Sequence, residues 1–81
     1  MTNKKLIDKM LAHGFTKCAA NDYGKKINDV TIIVTIPEND SATTGEWFMP
    51  HFKEMTSVGI ESFYSWSANG INQALSKRKY F

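Results

Sequence analysis

A chain of 81 residues with 42% hydrophobic content, 12% aromatics and a formal net charge of +2 has the material for one core and no more. At this length a fold buries about 60–65% of its unfolded surface, which excludes a second domain, and the apolar content excludes intrinsic disorder. Cys18 is the only cysteine, so an internal disulfide is excluded; a small buried thiol in a reducing compartment is expected.

Leu6, Ile7, Met10 and Leu11 share one helical face, with Thr2 or Asn3 as N-cap and Gly14 as the stop, which predicts a first helix over residues 3–13. Phe15 follows the glycine, placed to fold back onto that face. Thr16 to Tyr23 reads as a short strand, and Tyr23-Gly24-Lys25-Lys26 as a hairpin whose tip is basic. Val30, Ile32, Val34 and Ile36 alternate with Thr31, Ile33 and Thr35, the period of a strand with one buried face, and Pro37 ends it. This is the expected centre of the sheet, and its seven residues fall short of the ~20 that a membrane span needs.

Glu38 to Gly45 reads as a polar loop. Glu46 to Met55 fits a helix through Trp47, Phe48, Phe52 and Met55, but Pro50 breaks the pattern, so an edge strand is expected there. Ile60, Phe63, Tyr64, Ser67, Ile71, Ala74, Leu75 and Arg78 repeat at helical spacing, which predicts one long helix over Val58 to Lys79. Asn69 and Gly70 interrupt it, and a strand at Ile60 to Trp66 followed by a short helix is the alternative.

Charge is distributed unevenly along these elements. Residues 1–26 hold six lysines against Asp8 and Asp22, a net of +4; residues 62–81 hold Lys77, Arg78 and Lys79, a net of +3; between them Lys53 faces six carboxylates, a net of −5. If the two ends of the chain meet, they form a positive patch able to hold phosphates. Lys4, Lys5 and Lys9 sit where the helix dipole disfavours cations, so helix stability does not account for them. Lys77, Arg78 and Lys79 are accounted for by ending a helix, yet they and the pair Lys25 and Lys26 remain candidates for gripping a nucleic-acid backbone. Trp66 and Trp47 are the candidates for base stacking or an interface, with Phe63 and Tyr64 expected in the core.

Catalytic and metal signatures are missing. His13 and His51 with Cys18 form no zinc spacing, no nucleophile motif occurs, and no cofactor is implied. Asp29, Glu38, Asp40, Glu46, Glu54 and Glu61 read as a dispersed solvated surface. Lysines at Lys4, Lys5 and Lys9 in an amphipathic opening do not make a secretory leader, so a cytoplasmic location is expected. Nine lysines against one arginine, with six asparagines, match an AT-rich genome, bacterial or phage.

The run Lys5-Leu6-Ile7, Met10-Leu11 and Gly14-Phe15, in the order helix, three strands, helix, resembles small domains of the double-stranded-RNA-binding type and the HicA-like mRNA interferase toxins. The catalytic Gly-Ser-His of the latter is replaced here by Asn21-Asp22-Tyr23-Gly24, and the lysine cluster of the former by Thr56-Ser57-Val58-Gly59. The resemblance implies an α+β fold, a three-stranded antiparallel sheet with both helices on one face, and RNA as partner. The expected function is a non-enzymatic RNA-binding regulator. The alternatives are a protein-binding inhibitor or adaptor of a host defence factor such as an RNase toxin, using Trp47, Phe48 and Trp66, and a minimal RNase. An exposed edge strand makes a homodimer a further expectation.

Overall fold

The computed structural model describes residues 1–39 and 49–81, which form α1 (Asn3–Ala12), β1 (Thr16–Ala19), β2 (Asp22–Ile27), β3 (Val30–Thr35), β4 (His51–Thr56), β5 (Gly59–Tyr64) and α2 (Ala68–Lys77). Most of the expected loop and the start of the expected strand, with Asp40, Glu46, Trp47 and Phe48, lie outside the described residues. The strands form one antiparallel sheet in the order β1-β2-β3-β4-β5, and the fold is α+β.

The sheet therefore has five strands and not the expected three, for reasons visible in its turns. The stretch Thr16 to Tyr23 divides at Ala20 and Asn21, giving β1 and β2, with a register shift between Lys17 and Ala19. Ile27 pairs with Val30 across the two-residue turn Asn28-Asp29, where Asn28 takes a φ of 54°, a left-handed conformation that asparagine tolerates well. Lys25 and Lys26 are thus strand residues rather than a hairpin tip. The predicted long helix is replaced by β5 and α2. Thr56 pairs with Gly59 around Ser57-Val58, and Gly59 at φ 151° takes a backbone shape that few other residues adopt. Alternation of Ile60, Ser62 and Tyr64 against Glu61 and Phe63 then serves a strand as well as the wider spacing served a helix.

Both helices end in the same way. Thr2 caps α1 through a bond from the Lys5 N–H; at the other end the Gly14 and Phe15 N–H groups donate to the Leu11 and Met10 carbonyls, with Gly14 at φ 92°. In α2, Ser67 accepts from the Gly70 N–H, and the Lys79 and Tyr80 N–H groups donate to Ser76 and Leu75, with Lys79 at φ 61°. Each is a Schellman stop. It turns Phe15 back onto α1, and Tyr80 back toward the sheet.

Alternation along the strands puts Tyr23, Ile32, Val34 and Phe52 on one face, where they form a single cluster with Leu6, Ile7 and Met10 of α1 and Ala68, Ile71, Ala74 and Leu75 of α2. Both helices cover this face. Leu11, expected in the stripe, has rotated out and is 47% exposed. The helices run in the same direction. Asn3 Nδ2 donates to the Pro37 carbonyl at 3.1 Å and Ser65 N to the Pro50 carbonyl at 3.0 Å, placing the starts of α1 and α2 at one end of the sheet. At the other end the Phe81 ring lies 5.1 Å from His13 and 6.2 Å from Phe15.

Gly70 opens α2 in a crowded position: a Cβ there would lie 2.0 Å from Ser65 Oγ, which itself accepts from Ser67 N and donates to the Ser67 carbonyl. Substituting Gly70→Ala is expected to lower unfolding free energy in urea by about 1–3 kcal/mol, because the clash outweighs the roughly 1 kcal/mol that alanine gains in a helix interior.

Candidate nucleic-acid interface

Among the described residues, no helix covers the second face of the sheet. Strand pairing arranges its residues in rows: Asp22, Thr35, His51 and Tyr64; Gly24, Ile33, Lys53 and Ser62; Lys26, Thr31, Met55 and Ile60. In the first row the His51 and Tyr64 rings lie 4.9 Å apart at 31°, and Tyr64 is 56% exposed. His51 Nδ1 is 2.9 Å from the Met49 carbonyl, which fixes the ring, and Thr35 Oγ1 donates to Asp22 at 2.7 Å. Lys26 and Lys53 are both exposed on this face, two strands apart, or about 10 Å across the sheet. A shallow depression beside them is lined by Thr16, Cys18, Gly24, Lys26, Thr31 and Ile33 among others. Cys18 is exposed there, not buried as expected, because β1 is an edge strand and the register shift turns its thiol toward the Asp22 carbonyl, 3.6 Å away.

The eight basic candidates are not gathered into one patch. Lys4 and Lys5 lie at the start of α1, with Lys4 3.8 Å from Glu38, whereas Lys77 ends α2 and Arg78 and Lys79 follow it, at the opposite end. Since the helices run in the same direction, about 15 Å of helix separates the two groups. Three of the eight have intramolecular partners that account for them. Lys9 Nζ donates to Asn72 Oδ1 at 2.8 Å and lies 4.5 Å from the Phe81 ring, bridging the helices. Lys25 Nζ donates to the His13 carbonyl at 2.5 Å, capping α1 from a strand. Arg78 Nε donates to Glu54 Oε1 at 2.9 Å and Nη1 to the Ala74 carbonyl at 3.1 Å, and its guanidinium lies 5.2 Å and 5.5 Å from the Phe52 and Phe63 rings. Lys5, Lys26, Lys77 and Lys79 are exposed and carry no ion pair among the described residues.

Of the aromatic candidates, Trp66 is exposed, and Trp47 lies outside the described residues. Phe63 stacks on Phe52 at 5.3 Å on the helix side, but Tyr64 turns to the open face, against expectation. A strand sends adjacent residues to opposite faces, where a helix would have kept both inward. Lys53, His51 and Tyr64 were therefore invisible as a group. Their common feature in the sequence is an odd-even match between two stretches whose pairing register the sequence does not display. Among the described residues no group of three His, Cys, Asp or Glu side chains is placed to hold a metal ion, and no helix is long and apolar enough to cross a membrane. No known family matches the chain, and no characterised protein or solved structure does.

Glu54, expected on a solvated surface, instead anchors the residues after α2. It binds Arg78 through Oε1 and accepts the Tyr80 hydroxyl through Oε2. Burial, then that hydrogen bond and the charge of Glu54, push the Tyr80 phenol from 10.0 up to about 12, with Arg78 pulling the other way. Burial and then the charge of Glu38 push Tyr23 up too. A phenol with a raised folded pKa holds its proton more tightly when folded. Its contribution to stability is complete below the unfolded pKa and is lost as pH rises through the folded one. Melting temperature is thus expected to fall between about pH 10 and 12, and less steeply for Tyr80→Phe, as thermal melts across that range would read.

Proposed function

We propose that the chain is a non-enzymatic RNA-binding regulatory protein that lays an unpaired strand across the open face of its sheet. The observation that carries this reading is the fixed His51–Tyr64 ring pair, lying on the same uncovered face as Lys26 and Lys53. Exposed aromatic rings offer a stacking surface to any base, and ammonium groups on two strands of the same face neutralise the backbone that runs past them. Ile33 beside Lys53, and Met55 and Ile60 in the row of Lys26, supply apolar contact on the same face.

Lys5, Lys77 and Lys79 lie outside this face and add a diffuse attraction for polyanions. Lys9, Lys25 and Arg78 drop out of the phosphate-binding set, because their partners within the chain already use them. The likeness to double-stranded-RNA-binding domains is retained only in outline, as a sheet with one helix before it and one after. With five strands, and with Thr56 to Gly59 forming a turn between β4 and β5, unpaired RNA is the better fit.

Fluorescence anisotropy with labelled single-stranded RNA, duplex RNA and single-stranded DNA over a salt series tests the proposal. Single strands are expected to bind best. Tyr64→Ala should weaken binding by about 1–3 kcal/mol, the worth of one stacked base, and Lys26→Ala with Lys53→Ala should flatten the salt dependence by about 0.7 in slope for each lysine. Absence of binding at low salt, or binding that both variants leave unchanged, overturns it.

A further inference from the structure

The outer edge of β5 has a pattern that fits a copy of itself. β5 is last in the sheet order, so among the described residues one side of its backbone has no neighbouring strand. The Ser65 N–H donates inward to the Pro50 carbonyl. By the two-residue period of a strand, Glu61 and Phe63 also turn their backbone groups toward β4, while Ile60, Ser62 and Tyr64 turn theirs outward. Edges of this kind are usually guarded by lysine, proline or a bulge. Here Gly59–Tyr64 contains neither lysine nor proline, pairs with β4 without a shift, and bears Glu61 as its one charge.

Among the described residues, six large hydrophobic side chains are exposed, and four of them lie on this edge or just beyond its two ends: Ile60 at 64% and Tyr64 at 56% in the strand, Val58 at 94% in the turn before it and Trp66 at 66% after it. They are symmetric about Ser62, at two and four residues on either side. We propose that two copies of the chain pair through β5, antiparallel, about a two-fold axis at Ser62.

The arithmetic of an antiparallel pair selects this register. Residues that face each other must both turn their backbone groups toward the partner or both away, so the axis passes through a residue and not between two. Centred on Ser62, Ile60 meets Tyr64 of the second copy on both sides of the axis, and Val58 meets Trp66. Glu61 lies opposite Phe63. The three outward-facing pairs, Ile60 with Tyr64, Ser62 with Ser62 and Tyr64 with Ile60, each exchange two backbone hydrogen bonds. Centred on Glu61, the same strands would set two carboxylates directly against each other, which is unfavourable. Centred on Phe63, they would set Val58 against Ala68, which is already the first residue of α2. The symmetric contact joins two sheets into one and continues both open faces across the axis. It does not rest on the RNA reading, and its test reads mass and register alone.

Sedimentation equilibrium with reductant present, up to sub-millimolar concentration, is expected to show a species of twice the 9.2 kDa chain mass. Ser62→Pro removes the central donor at a position where an edge strand tolerates proline, and Ile60→Lys installs the missing guard; each should weaken association at least about tenfold. The circular dichroism of each variant, measured where the protein is dilute, reports whether it is folded. Register is read in a Cys18→Ser background under oxidised glutathione. Ser62→Cys should cross-link, since hydrogen-bonded partners lie about 5.5 Å apart at Cα, and Glu61→Cys should not. A monomer at every concentration, a dimer indifferent to both folded edge variants, or cross-linking at Glu61 in place of Ser62 overturns the proposal.

Discussion

Among the described residues, two ten-residue helices are the only elements that cover this five-stranded sheet. Each is about 10 Å across with its side chains, and five strands at about 4.8 Å spacing make a plane close to 20 Å wide, so the pair covers one face and is then used up. Burial of that face supplies the dominant stabilisation. Ile32, Val34 and Phe52 reach zero exposure there, while Ile33, Lys53 and Met55 on alternate positions of the same strands stay at the surface. The one-sided core thus determines both what holds the fold together and what it leaves available for contact.

The edges of the covered face are where polar groups are recruited. A helix end beside an apolar layer leaves carbonyls in need of donors. Lys25 reaches from β2 to the end of α1, and Arg78 closes the end of α2 while lying over Phe52 and Phe63. In both cases the cation joins a helix stop to an aromatic group, since Lys25 Nζ is also 5.7 Å from the Phe15 ring. Part of the basic content that looked like a ligand-binding device in one dimension is therefore consumed inside the molecule, and Glu54 supplies the countercharge for one of these groups.

Local chemistry was legible in the sequence wherever one residue type has few uses. Gly14 as a helix stop, Pro37 after a strand and the alternation from Val30 to Ile36 each point one way, and the folded chain agrees. Ambiguity arose where two periods fit the same residues. Ile60, Phe63 and Tyr64 satisfy a helix, and they satisfy a strand with Tyr64 turned outward; Gly59 and the cap at Ser67 decide the matter, and both are weak signals alone. The open-face group of His51, Lys53 and Tyr64 exists only through the register of β4 against β5, a property of pairing rather than of any stretch of sequence. Charge segregation along the chain predicted a single patch, but the common direction of the helices separates its two halves. Direction is set by where the connecting strands end.

The sheet order follows the sequence order without a crossover, so every strand pairs with the strand that precedes or follows it. Except for the connection of residues 36–50 between β3 and β4, these contacts close short loops and form rapidly, and during synthesis each hairpin can assemble as it leaves the ribosome. The helix layer is different. Lys9 meets Asn72, and Phe81 meets His13 and Phe15, contacts that span most of the chain. A nascent sheet therefore presents Tyr23, Ile32, Val34 and Phe52 with α1 alone as cover until α2 emerges. In that interval the apolar face is the vulnerable one, and the open face, already in its native state, needs no protection.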